Sequence, residues 1–245
     1  MDNLILLSGN EIPFPECQTA VHQPTIREIA YIGEETFFTG CEILNFSKNL
    51  LAEEDKKDLE DKTNFDILIA ILREQNAVMQ KNRNCVELVL ALMFPLYEVW
   101  INNDHILCKG NEHEFIINND NFEGLKSIIN SMLAYRKETS SELNPSGEMA
   151  KRIANKLKKR HQKLSETKEA KSEGNKIDIL GRYISILAVG LQKDINGLFN
   201  YTIYQLFDEF KRYELKMSND IYIQACMAGA QDLKEVEDWM KNIHS

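Results

Sequence analysis

The sequence predicts a mainly α protein with a small antiparallel β unit (α+β), made of an N-terminal α+β body and a C-terminal helical body. Three observations predict it. Helix start and stop signals bracket amphipathic stretches from Thr25 onward and again from Ile177 to Met240. Three short apolar runs between residues 97 and 117 are separated by Asn-Asn-Asp and Gly-Asn-Glu, which is hairpin turn chemistry. With only 11 Gly and 5 Pro among 245 residues, a loop-rich β sandwich is disfavoured.

At the start of the chain, Leu4–Leu7 and Ile12–Phe14 flank Ser8-Gly9-Asn10-Glu11. A Gly-Asn pair between short apolar runs is a hairpin signal, because both residues tolerate positive φ. Thr25 and Glu28 then form a capping box in front of a helix. Ile26, Ile29, Ala30, Phe37, Cys41 and Leu44 follow near helical spacing, with Gly33 and Gly40 as expected kinks or breaks. Residues 52–62 are acidic and polar and read as an exposed helix or connector. From Asn64, the residues Ile67, Leu68, Ile71, Leu72 and Met79 fall on one helical face. A second helix is expected to start at Asn84, with Glu87 completing its box, and to stop before Pro95. Val86–Met93 is apolar on nearly every side, so this helix is expected to be the most buried of its body.

Tyr97–Ile101, His105–Lys109 and His113–Ile117 read as a three-stranded meander. A helix then follows with Asp120 and Glu123 as its box. Its apolar face of Phe122, Leu125, Ile128, Ile129, Met132 and Leu133 is expected to cover the sheet. The domains expected are 1–137 (α+β), 138–176 (a linker with a basic helix at 148–164) and 177–245 (all α). In the last, helices are expected at 177–191, 202–216, 219–228 and 233–242, with Gly229 as a C′ residue.

The net charge of −9 disfavours general binding to nucleic acid or anionic membranes. That average hides a division, because residues 148–176 are strongly cationic while the rest of the chain is acidic. The five cysteines are widely spaced and never form Cys-x-x-Cys, which fits free thiols in a reducing compartment. The first ten residues lack a positive n-region, so no signal peptide is expected. The longest strongly apolar run, Leu88–Leu96, is about half of the ~20 residues that span a bilayer. No membrane partner is expected.

Candidate chemistry is sparse. His105, Cys108 and His113 lie close in sequence. However, His105 and Cys108 are three apart on one strand and point to opposite faces, and a structural zinc needs four ligands. Neither metal nor cofactor is expected. The carboxylates at Glu34-Glu35, Glu53-Glu54-Asp55, Asp208-Glu209 and Glu237-Asp238 read as solvated helix faces, since an acid/base pair needs a shared desolvated cleft. There is no phosphate loop, zinc-protease helix or nucleophile elbow. The expectation is a protein without catalytic residues. Lys151, Arg152, Lys156, Lys158, Lys159, Arg160 and Lys163 are candidate polyanion contacts, but aromatics to stack on single strands are missing. The preferred reading of these residues is a solvated tether, so a nucleic-acid partner is not expected. Aromatic and Met residues are dense from Tyr201 to Met240. Tyr204, Phe207, Trp239 and Met240 are the candidate partner-binding residues, since such side chains are favoured at interfaces.

Four passages carry a resemblance. They are His22-Gln-Pro-Thr-Ile-Arg-Glu-Ile, Phe115-Ile-Ile-Asn with Asn121-Phe-Glu-Gly-Leu-Lys, Arg182-Tyr-Ile-Ser-Ile-Leu-Ala, and Thr202-Ile-Tyr-Gln-Leu-Phe-Asp-Glu-Phe. Together the chain resembles virion and tail-morphogenesis proteins of tailed bacteriophages, and more loosely tail assembly chaperones. The resemblance implies a non-enzymatic tail-morphogenesis protein that binds another phage protein, of tail or tape-measure type, in a chaperone-like way. A permanent virion component (a connector or tail-hub subunit) is the second reading, and a DNA-binding regulator the third. The location implied is the host cytoplasm during assembly, or the virion, with a homo-oligomer as a further expected state.

Overall fold

The computed structural model describes residues 3–48, 61–73, 77–133 and 178–229, together with 238 and 240. The linker, the basic helix at 148–164, most of the connector at 52–62 and nearly all of the helix expected at 233–242 lie outside the described residues.

The chain opens differently from the expected hairpin. Asn3–Ser8 form a helix, α1, and Ile12–Phe14 (β1) pair antiparallel with Thr19–Val21 (β2), Ile12 opposite Val21. Gly9 does hold a positive φ of 70°, but it ends α1, its N–H donating to the Leu6 carbonyl at 3.3 Å. A four-residue apolar run has no readable period, and in Leu4–Leu7 only Leu6 is buried. The connection between β1 and β2 is a 3-10 turn, Pro15–Cys17, closed by Gln18 in the left-handed region. The buried Gln23 then ties these pieces together, its Nε2 donating to the carbonyls of Ile5 (3.0 Å) and Asn10 (2.6 Å).

Ile26–Ile32 (α2) starts at the expected capping box, with Glu28 N–H donating to Thr25 Oγ1 and Thr25 N–H donating to Glu28 Oε2. It stops at Gly33, whose φ of 89° breaks the chain into a second helix, Glu34–Leu44 (α3). Gly40 was an expected break but lies inside α3. It is there for closeness, because a Cβ would sit 2.6 Å from the Cys85 carbonyl oxygen. The helix it approaches is Ala77–Met93 (α5), which follows Asn64–Arg73 (α4). Of the expected α4 face, Ile67, Leu68 and Leu72 are buried, joined by Phe65 and Ile69.

The start expected for α5 at Asn84 is corrected to Ala77. No Gly or Pro separates 77 from 84, and Glu87 serves as the i+4 partner of Arg83 at 3.0 Å instead of closing a box. Cys85, Val86, Val89, Leu90 and Met93 are buried, whereas Leu88 is exposed, so α5 is amphipathic rather than apolar all round.

Glu98–Ile101 (β3), Ile106–Lys109 (β4) and Glu114–Ile117 (β5) form the expected meander in the order β3-β4-β5. Phe122–Met132 (α6) follows, with the whole expected apolar face buried. Its N-cap is Asn121, not Asp120, and Asn121 makes no side-chain cap bond. The Asn121 side chain is used elsewhere: its Nδ2 donates to the Ile116 carbonyl at 2.8 Å and its Oδ1 accepts from Asn118 N–H. Among its partners, α6 packs against β1 and the last helix described below.

The C-terminal elements are Ile179–Leu191 (α7), Ile195–Leu198 (α8) and Ile203–Met227 (α9). The separate helices expected at 202–216 and 219–228 are one helix, because nothing between Lys216 and Asn219 terminates it. Gly229, φ 82°, follows it as expected.

The chain divides into two compact units, Met1–Tyr135 with Tyr183–Ser245, and Arg136–Arg182. Residues beyond Tyr183 therefore belong to the same unit as the N-terminal elements, not to a body of their own. Backbone hydrogen bonds join them. Two amides at the start of α2, Ile26 N–H and Arg27 N–H, donate to Tyr201 O (2.8 Å) and Phe199 O (2.9 Å), and Thr25 bridges to Thr202. In the second unit, residues 178–182 are described. There Asp178 caps the opening of α7 by accepting from Gly181 N–H at 2.8 Å.

Candidate interaction surface on the C-terminal helices

α9 is positioned from its first residue. Thr202 and Gln205 form a capping box, and Gln205 Nε2 also reaches the Leu7 carbonyl at 2.7 Å. Tyr183 of α7 lies flat on Phe210 (3.8 Å between centroids, 3° between planes) and edge-on to Phe207 at 5.7 Å. Lys193, just beyond α7, donates to Tyr201 Oη at 2.7 Å and to the Glu209 carboxylate. Burial alone would lower the pKa of Lys193. Its hydrogen bonds to Glu209 and Tyr201 outweigh that and hold it above the usual lysine value. Of the Asp208-Glu209 pair, Glu209 is thus an internal ion-pair partner and not simply part of a solvated face.

Ile203, Leu206, Phe210 and Tyr213 lie along one face of α9. At 3.6 residues per turn that face continues through Met217 and Ile221. Ile203 and Leu206 are buried and Phe210 is covered by Tyr183, whereas Met217 and Ile221 are exposed, Ile221 by 60%. Ile223, two residues beyond Ile221 and so on the opposite side of the helix, and Met227 (84% exposed) are exposed as well. The distal half of α9 therefore carries exposed apolar side chains.

The structure separates the four predicted partner-binding residues. Tyr204 is only 3% exposed and belongs to the core, lining a small buried space with Gln23, Phe37, Met93 and Met132. As a surface anchor it is corrected: its place in the first turn of α9 faces inward. Phe207 is half-buried against Tyr183, Met240 is exposed, and Trp239 lies outside the described residues. The seven basic candidates between Lys151 and Lys163 also lie outside them. The residues Met217 and Ile221 were not among the sequence candidates. The signal was there, in an apolar face running unbroken across an expected helix boundary.

The described thiols and histidines of the N-terminal elements make local contacts. Cys17 and Cys108 are buried, and desolvation pushes their thiols up to about 11 and about 12, away from the thiolate that reacts or ligates. His113 Nε2 meets the Cys17 carbonyl at 3.2 Å and His105 Nδ1 meets Asp104 at 2.7 Å. Among the described residues no cluster of three or more His, Cys, Asp or Glu side chains is placed to hold a metal. No described helix is long and apolar enough to cross a membrane.

Fold and surface together define a mainly α protein, with small antiparallel sheets, whose last helices end in exposed apolar side chains. Residues 171–244, which include α7, α8 and α9, are similar to the YomV second domain, a domain family of phage type. No curated protein matches the chain, and no solved structure matches it.

Proposed function

We propose that this is a non-enzymatic phage-type protein of tail morphogenesis, binding another phage protein through the distal half of α9 in a chaperone-like way. The carrying observation is the exposed continuation of the apolar face of α9 through Met217 and Ile221, inside the segment similar to a phage-type domain. Exposed apolar strips rimmed by polar residues are what partner proteins bury. Tape-measure-type and other tail proteins are the partners this reading names, and the host cytoplasm during assembly is where it places the complex.

The test is twofold. Tagged protein from phage-producing cells should co-purify with a phage protein. Changing Met217 and Ile221 to Lys should abolish that capture while leaving the melting temperature within about 2 °C, since exposed substitutions cost little. Mass spectrometry of purified particles should find the chain absent or at trace level. A stoichiometric amount would instead establish a permanent virion component, such as a connector or tail-hub subunit. Nanomolar duplex binding at physiological salt, lost on changing Lys158, Lys159 and Arg160 to Glu, would establish the regulator reading.

A further inference from the structure

A second surface lies far from α9 in sequence, on the meander. Strand alternation sends Ile101, Ile106, Cys108, Phe115 and Ile117 inward, and all five are buried. The opposite face is set by register. Trp100 pairs with Leu107 and Leu107 with Ile116, so these three side chains form one cross-strand row. Trp100 is 42% and Ile116 44% exposed, and Leu107 is half-exposed between them. Beside this row runs a charged one, Glu98–Lys109–Glu114, set by the same register. None of its three members makes an ion pair with a described residue. On the row itself Glu98 and Glu114 flank the single Lys109, and the exposed Glu112 sits in the second hairpin turn, whereas at the first turn Arg73 and Arg83 donate to the carbonyls of Asn103 and Ile101. Past Glu98 the face opens into a cleft of about 360 Å³ lined by Leu96, Glu98, Trp100 and Lys109.

We propose that this face is a docking site for a basic amphipathic segment of another protein, with apolar residues on the Trp100–Leu107–Ile116 row and Lys or Arg beside Glu98 and Glu114. Charge complementarity selects a cationic occupant. Size selects a segment: the row exposes on the order of a few hundred Å² of apolar surface, the scale of a functional patch. A stable globular interface buries about 800 Å² per partner. Face-to-face pairing with a second copy is disfavoured, because the same Glu98 and Glu114 would meet across it. The proposal rests on the reading that the protein works by protein–protein contact, but it concerns a different surface.

The test uses the full chain and a synthetic 17-residue Leu/Lys amphipathic peptide, with the Leu/Glu version as its counterpart. Calorimetry should show binding of the Lys peptide only. With Trp239 changed to Phe, Trp100 is the sole tryptophan, and its emission should shift to the blue on binding. The pair Glu98→Lys with Glu114→Lys should weaken binding about tenfold or more. The control pair Glu11→Lys with Glu42→Lys, identical in net charge, should change it less than about twofold. Leu107→Glu should abolish binding with the fold retained by circular dichroism. Equal loss from both charge pairs would overturn the proposal, leaving only nonspecific attraction. So would an unshifted Trp100, or loss only when Met217 and Ile221 are changed to Lys. A Trp100 shift that grows with protein concentration alone would identify the occupant as a second copy and overturn the commitment to a segment. Capture through α9 in phage-producing cells is a separate readout, so failure here leaves that reading standing.

Discussion

Glu28 joins two jobs in one carboxylate. It closes the box that starts α2, and it accepts from His22 Nε2 at 3.1 Å. Burial raises its pKa. The Thr25 amide, the side chains of His22 and Thr25, and the His22 charge together outweigh burial and hold it below the usual 4.5. A depressed folded value means that the ionised form is favoured by folding. The resulting stabilisation is present above the unfolded pKa and is lost as pH falls through the folded one. Thermal melts from pH 6 to pH 3 should therefore show a steeper loss of stability below about pH 4.5 in the native chain than in Glu28→Gln. The capping box itself was legible, since Thr25 and Glu28 stand three apart before an apolar run. Gln23 was not, because its partners Ile5 and Asn10 are chosen by tertiary position. Changing Gln23 to Leu removes the donor to two partly buried carbonyls and should cost about 1 kcal/mol, measured by urea unfolding.

At the scale of elements, the pair α3 and α5 is set by one missing side chain. Gly40 lets α3 come so close that a Cβ would fall 2.6 Å from both the Cys85 carbonyl and Val89 Cγ2. The backbone cannot yield cheaply there. Gly40→Ala should destabilise by about 1–3 kcal/mol despite its higher helix propensity, seen as a lowered urea midpoint at unchanged slope. In the sequence this glycine reads as a break, and it takes the facing helix to show that it is a contact. The same limit explains α9. Periodicity placed apolar residues on both sides of Met217 and drew two helices, yet a helix ends only where something stops it. The buried Tyr204 shows the complementary limit. Aromatic content marked it as an interface candidate, while its position against Phe37, Met93 and Met132 makes it core.

For the molecule as a whole, the segment similar to the YomV second domain is hydrogen-bonded to the N-terminal elements from Tyr183 onward. It supplies the acceptors for the first amides of α2 and takes the Leu7 carbonyl through Gln205. Residues 183–245 expressed alone should therefore lack a cooperative thermal transition, while the full chain melts as a cooperative unit through this region. A cooperative melt from the fragment would show that these bonds are incidental. Thr202→Ala tests the joint within the intact chain and should cost about 1 kcal/mol, read by chemical denaturation.

The sequence by itself determined the local features of this protein. The meander, the box at Thr25, the break at Gly33 and the buried face from Phe122 to Leu133 all follow from turn chemistry, capping and periodicity within a dozen residues. Tertiary structure decided what depends on partners far along the chain. It joined the residues beyond Tyr183 to the N-terminal unit through hydrogen bonds from Ile26 and Arg27. It placed Tyr204 inside and Met217 and Ile221 outside on one continuous helix. It aligned Trp100, Leu107 and Ile116 into a row that only strand register creates. The physical reason is the same each time. Periodicity tells which side chains share a face, but only the packing of distant elements tells which faces are covered.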